Sequence, residues 1–135
     1  MQSGMVVADA TGDVSVVVDR LMQLLDERHV KLFACIDHAA GAREMGMELP
    51  DEVLLVFGSA SVGTPVMQDD PRAGIELPLR MLVWSENGST KVGYNDPRRL
   101  TESLDLRASH QSLDKMAALL DQLVAGVRDA ADSVR

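Results

Sequence analysis

Aromatic side chains and blocks of positive charge are scarce in this chain. Only 3% of its 135 residues are aromatic, so Val, Leu, Ile, Met and Ala must build the core. Proteins bind nucleic acids largely through Lys and Arg on phosphates, and single strands also through aromatic stacking. With 13 basic residues, 21 acidic residues and a net charge of −8, the composition argues against binding to nucleic acid or to anionic membranes.

Cysteine and long hydrophobic runs are scarce as well. The single cysteine, Cys35, excludes an internal disulfide and fits a reducing cytosol. No apolar run approaches the about 20 residues that a membrane helix needs, and the sequence shows no signal peptide. We therefore expect a cytoplasmic protein. Its 135 residues fit a single domain, 1–135, that can bury a core without disulfides or metals.

Hydrophobic spacing predicts the order of the secondary-structure elements. Val-rich residues 14–18 have strand propensity, but Val14, Val17, Leu21 and Leu24 keep helical spacing, so we predict a helix at about 13–28. The Asn87-Gly88 pair is typical of a hairpin turn. Strands are predicted at 4–9, 29–37, 52–60, 77–86 and 89–95, short helices at about 39–46, after Thr64 and at about 97–102, and an amphipathic helix at about 111–131.

These elements follow a β-α-β4-α order with short helical insertions. A hairpin flanked by terminal helices predicts an α+β fold, with an antiparallel sheet of about five strands and helices packed on one face. The strand at 29–37 looks buried on both faces, which would also bury Cys35 as an inert thiol.

Three segments carry a resemblance to a known family. They are IDHAAGAREMGMEL, VLLVFGSASVGTPVMQDDPRAGIELPLRMLVW and VGYNDPRRLTE, within about 35–103. Together they resemble the family described as domain of unknown function 302. The resemblance implies a curved antiparallel sheet of the TATA-binding-protein-like group and a homodimer, and it implies no activity. The family usually has Asn-Pro after its Phe-Gly, whereas this chain has Ser59-Ala60, so a site that uses that amide is altered here.

His38 is the first candidate for chemistry. It lies between a predicted strand end and Gly41, and imidazole can act as a general acid or base near neutral pH. We favour a structural role instead, in which its ring bonds a backbone carbonyl and closes the turn. A dyad of Asp37 and His38 requires the strand to end first, because neighbouring strand residues point to opposite faces.

Arg80 is the second candidate, since it interrupts an apolar strand and shares a face with Leu82 and Trp84. It must face solvent, a ligand or a carboxylate, and we expect an ion pair with Asp37, with Asp96 or across a dimer. Residues 94–97 fit an Asx-type turn, although Asn95 and Asp96 would alternatively line a cleft beside His38. A helix starting at Thr64 would offer free N–H groups to an anion.

No metal or cofactor is expected. The three histidines lack paired ligand spacing, and Asp69 and Asp70 fit no EF-hand loop. Two functions stay open. One is a domain that binds a small molecule or a protein partner as a homodimer. The other is an enzyme that uses His38 as acid or base, oriented by Asp96 or Asp37, with Arg80 or Thr64 holding an anionic substrate. The enzyme requires these groups to converge on one pocket.

Overall fold

The computed structural model describes residues 4–133 of the chain, and their side chains as far as Arg128. Five strands and four α-helices make up the fold. They are β1 (Met5–Ala10), α1 (Val14–Glu27), β2 (Lys31–Asp37), α2 (His38–Glu44), β3 (Glu52–Gly58), α3 (Ala60–Asp69), β4 (Leu79–Glu86), β5 (Ser89–Asn95) and α4 (His110–Ser133). Short 3₁₀ helices span Pro71–Ile75 and Pro97–Glu102.

The strands form one antiparallel sheet in the order β1-β5-β4-β3-β2. The predicted α+β class is therefore confirmed. The hairpin between β4 and β5 is confirmed too, because Asn87 and Gly88 both have positive φ, 52° and 81°, as a tight I′-type turn requires.

The core lies between one face of the sheet and the helices α1 and α4. Apolar side chains alternate along β3 and β4, and Leu55, Met81 and Val83 are completely buried. The predicted apolar stripe of α4 is buried along its whole length. Its members are Leu113, Met116, Ala117, Leu120, Leu123, Val124 and Val127. Together α1 and α4 thus remove one face of the sheet from water, which is the main stabilising contribution to the fold.

The prediction that 29–37 is buried on both faces is wrong. β2 lies at the edge of the sheet and pairs only with β3, with an irregularity between Leu32 and Ala34. Phe33 is 51% exposed, and Cys35 is exposed as well. An apolar run resembles a central strand in sequence, but strand order depends on pairing partners that the run itself does not encode.

The predicted helix start at Thr64 is also wrong. α3 begins at Ala60, directly after β3 ends at Gly58, and Pro65 lies inside the helix. Pro suits a first helical turn, but here it is tolerated further in. The helix ends at Asp69 before Pro71, as predicted.

Candidate functional site

A cleft of about 450 Å³ opens between the start of β2, α3, the segment that leads into β4, and α4. This volume lies in the range of small-molecule sites, roughly 300–1,000 Å³. The apolar lining comes mainly from Val30, Phe33, Val62, Met67, Leu77, Pro78, Met116 and Leu119. Of the apolar stripe of α4, only Met116 lines the cleft, and its neighbours Lys115 and Leu119 line it too. The cleft therefore lies at the margin of the core.

Two glycines keep the cleft open. A Cβ at Gly63 would lie 3.6 Å from Cδ1 of Leu77, and a Cβ at Gly58 would lie 3.5 Å from Cβ of Pro78. Both distances are ordinary van der Waals contacts, so the backbone there leaves room that a side chain would fill. Phe33, at the irregularity of β2, closes one side, and its ring lies 5.1 Å below the ammonium of Lys31.

The charges around the cleft are of one sign. Arg28, His29 and Lys115 line it, and no Asp or Glu is among its described lining residues. Arg28 is held in place by hydrogen bonds from Nε to Oε1 of Gln122 (3.3 Å) and from Nη1 to the carbonyl of Leu24 (3.4 Å). Lys115 is exposed and has no ion pair or hydrogen bond with any described residue. The rim is therefore cationic, although the chain is acidic.

The N-terminus of α3 also favours negative charge at the cleft. The side chain of Ser59, the N-cap residue, makes no capping hydrogen bond to the backbone and lies 2.9 Å from the hydroxyl of Ser61. The first turn of α3 contains no acidic residue. Ser59 and Ala60 both line the cleft. The partial positive charge of a helix start thus adds to the cationic rim.

A second, much smaller cavity of about 40 Å³ contains Arg80, Asn95, Asp96 and Arg99 in its lining. The structure therefore brings three of the predicted site residues together at one end of the sheet. Nε of Arg99 is buried there and has no hydrogen-bond acceptor among the described residues. Buried N–H groups normally have a partner, so this atom distinguishes the cavity.

Asp37 and His38 lie at the opposite end of the sheet. Asp37 pairs with Val53 near the start of β3, whereas Arg80 pairs with Val56 towards its end. The turn after β2 is secured by Asp37, whose carboxylate accepts the N–H of Ala40 (2.9 Å). His38 is exposed and its ring bonds no described residue, so the structural role predicted for it is wrong.

The carboxylate of Asp96 is already hydrogen-bonded to a neighbouring residue. It accepts hydrogen bonds from the backbone N–H and guanidinium of Arg98, at 2.8–3.0 Å, in the predicted Asx-type turn. These bonds lower the pKa of Asp96. Arg80 is exposed and pairs with neither Asp96 nor Asp37 among the described residues, so those expected ion pairs are not formed. Thr64 lies inside α3 and lines the 450 Å³ cleft.

Asp69 and Asp70 link the end of α3 to the segment before α4. Asp69 accepts the N–H groups of residues 107–109 and the hydroxyl of Ser109, at 2.8–3.0 Å. Asp70 is buried, pairs with Arg72 at 2.8 Å and accepts the N–H of Asp105. These bonds lower the pKa of both carboxyl groups. Among the described side chains, no group of three His, Cys, Asp or Glu could hold a metal ion.

Thr64 is the one predicted site residue that lines the cleft. The other lining residues were missed because their patterns in the sequence indicate other roles. Met67 and Met116 have the spacing of core residues, and Phe33 belongs to an apolar strand. Lys115 is one charge on the polar side of an amphipathic helix. Only Gly58 and Gly63 give a signal for the cleft itself. Two glycines on either side of a helix start indicate room for a ligand.

The fold and the cleft define a small α+β domain with a site of ligand size. The family model of "Domain of unknown function DUF302" matches residues 6–127, and the chain belongs to this family. The crystal structure of an uncharacterized conserved protein DUF302 from Bacillus stearothermophilus has the same fold, with a TM-score of 0.84 and 19% identity. That similarity covers 94% of this chain and 100% of the other.

Curated relatives include proteins named fluoride-specific ion channel. This chain is 36% identical over 111 residues to FluC 1 of Brucella suis and to FluC 2 of Brucella melitensis. The match covers 81% of this chain but 43% and 41% of those proteins. The chain thus spans about two fifths of the length of these relatives. None of the helices in the described part of the chain is long and apolar enough to cross a bilayer.

Proposed function

We propose that this domain binds a small molecule in the cleft beside α3 and that it does so as a homodimer. The observation that carries the proposal is the cleft itself: it has ligand size, an apolar lining and a few convergent polar groups. Such a combination is the usual mark of a small-molecule site.

The alternative of an enzyme built on His38 has less support. An acid or base must reach its reacting partner within hydrogen-bond distance, but His38 lies at the end of the sheet opposite Arg80 and Asn95. His38 is also absent from the lining of the 450 Å³ cleft. A binding domain requires no such convergence.

A neutral fluorescent probe, N-phenylnaphthylamine, tests the cleft. Gly63→Leu fills the cleft from a helical position where a Cβ meets only ordinary contacts. Gly41→Leu is the matched control, because it is also helical and has nothing within 4 Å. We expect wild type and Gly41→Leu to bind the probe and Gly63→Leu to lose at least about tenfold in affinity. Equal binding by all three would refute the cleft as the site.

The homodimer is proposed through the face of the sheet opposite α1 and α4. A row in register, Val7, Gly93, Leu82, Leu54 and Ile36, crosses all five strands. Val7 and Ile36 are 51% and 43% exposed. Exposed apolar residues on an open sheet face fit an interface, and a two-fold axis would place the same face of each subunit against the other.

Light scattering tests the dimer. We expect twice the chain mass of 14.6 kDa at micromolar concentration. Ile36→Glu should shift the protein to the monomer, because it places a charge in the interface. Ile75 is 84% exposed and lies outside the sheet, so Ile75→Glu should leave the dimer intact. A wild-type monomer, or equal masses for folded forms of both variants, would contradict the interface.

A second candidate function is the binding of a small inorganic anion at the 40 Å³ cavity. Two observations favour it: the buried Nε of Arg99, which has no acceptor among the described residues, and the name of the Brucella relatives, which refers to fluoride. Sodium fluoride should then raise the unfolding temperature above that in equimolar sodium chloride, and Arg99→Gln should abolish the difference. Identical curves in both salts would remove this candidate.

A further inference from the structure

The cleft has a chemical preference that its size alone does not convey. We propose that it takes an amphipathic ligand with an apolar chain and an anionic head group, a free carboxylate being the simplest form. This inference rests on the proposed function of the cleft as a small-molecule site. It concerns the class of ligand and identifies the groups that select it.

The apolar body of the ligand is matched by the interior of the cleft. Phe33, Met67, Leu77 and Met116 come from four separate elements or connections and meet around one space. Methionine side chains adapt to ligands of differing shape. An unbranched alkyl chain would gain free energy with each methylene that it removes from water, so affinity should rise with chain length until the cleft is full.

The head group is selected by charge. The ionisable residues in the described lining are all basic, namely Arg28, His29 and Lys115. In a chain with a net charge of −8, a cleft lining without Asp or Glu departs from the composition as a whole. An anionic head would find a favourable local potential, while a cationic head would be repelled.

Lys115 is the group available to bind that head. It is exposed at the rim and bonds no described residue, whereas Arg28 already donates to Gln122 and to the carbonyl of Leu24. An ammonium on a flexible stem can reach a carboxylate at several depths. The start of α3 at Ala60 lies on the same cleft and adds a weaker attraction for negative charge.

Three ligands of equal chain length test the preference: decanoate, decanol and decyltrimethylammonium. Calorimetry at low salt should give affinities in the order decanoate, decanol, decyltrimethylammonium, with decanoate about tenfold tighter than decanol. Decanoate should displace N-phenylnaphthylamine. Salt should weaken decanoate binding and leave decanol unaffected.

Lys115→Gln should weaken the affinity for decanoate about fivefold and leave the affinity for decanol unchanged. Arg43 is an exposed cation outside the cleft, so the control Arg43→Gln should change neither affinity. The charge selection is overturned if decanoate and decanol bind equally, or if Lys115→Gln and Arg43→Gln lose the same decanoate affinity. This holds even if the neutral probe still binds and Gly63→Leu still blocks it. Loss of probe binding itself would instead refute the cleft. Binding of decanoate only as part of anionic vesicles would also overturn the proposal.

Discussion

Oδ2 of Asp69 lies 2.8 Å from Oγ of Ser109, across 40 residues of sequence. The same oxygen accepts the backbone N–H groups of Arg107, Ala108 and Ser109. One carboxylate thus satisfies the donors that precede α4 and ties that helix to α3. The contact therefore links two of the elements that contribute residues to the cleft lining.

Removal of this carboxylate should loosen both helices. Asp69→Ala leaves several N–H groups without their acceptor, and we expect the unfolding temperature to fall by about 5 °C, as for the loss of a helix cap. Asp26→Ala, an exposed carboxylate on α1 that serves as control, should change it by less than about 1 °C. Differential scanning calorimetry makes the comparison, and similar temperatures for both variants would contradict the role of Asp69.

Acid should destabilise the protein through the same group. The N–H groups of residues 107–109 and the Ser109 hydroxyl hold the pKa of Asp69 below its ordinary value, so the unfolded chain binds the proton more readily. The stabilisation is present above the ordinary Asp pKa of about 3.9 and is lost as pH falls through the lowered pKa. Urea unfolding of wild type and Asp69→Asn should therefore converge below about pH 4, and parallel curves would contradict this.

The turn after β2 offers a test of which neighbour secures it. His38→Ala should change the free energy of unfolding by less than about 0.5 kcal/mol, because the exposed ring bonds no described residue. Asp37→Ala removes the cap on the Ala40 N–H and should cost about 0.5–2 kcal/mol. Chemical denaturation separates them, and a larger loss for His38→Ala would reverse the assignment.

Cys35 should be accessible but slow to react. Partial desolvation, followed by the carboxylates of Asp37 and Asp19, raises the pKa of its thiol, so little thiolate is present at neutral pH. A disulfide reagent at pH 7 should modify it completely yet more slowly than free cysteine. Asp37→Asn should speed the reaction about twofold, while Asp26→Asn should not; equal rates would show that Asp37 has no influence.

The sequence predicts local structure well where periodicity and turn chemistry agree. The α4 stripe, the Asn87-Gly88 hairpin and the capped 3₁₀ helix after Asp96 all follow from residues close in the chain. The edge position of β2 and the contact from Asp69 to Ser109 depend on which distant segments meet. Candidate site residues fail for the same reason: His38 directly follows β2 and Arg80 lies in β4, and the register of strand pairing places them at opposite ends of the sheet.

The central claim, a small-molecule site beside α3, is tested most directly by methyl NMR of labelled methionine. Met67 and Met116 line the cleft, whereas Met45 and Met47 are exposed at 77% and 65% outside it and serve as internal controls. Titration with the neutral probe N-phenylnaphthylamine should shift the Met67 and Met116 methyl signals in a saturable way and leave Met45 and Met47 in place. Saturable shifts at the controls alone, or no shift at Met67 and Met116, would contradict the account.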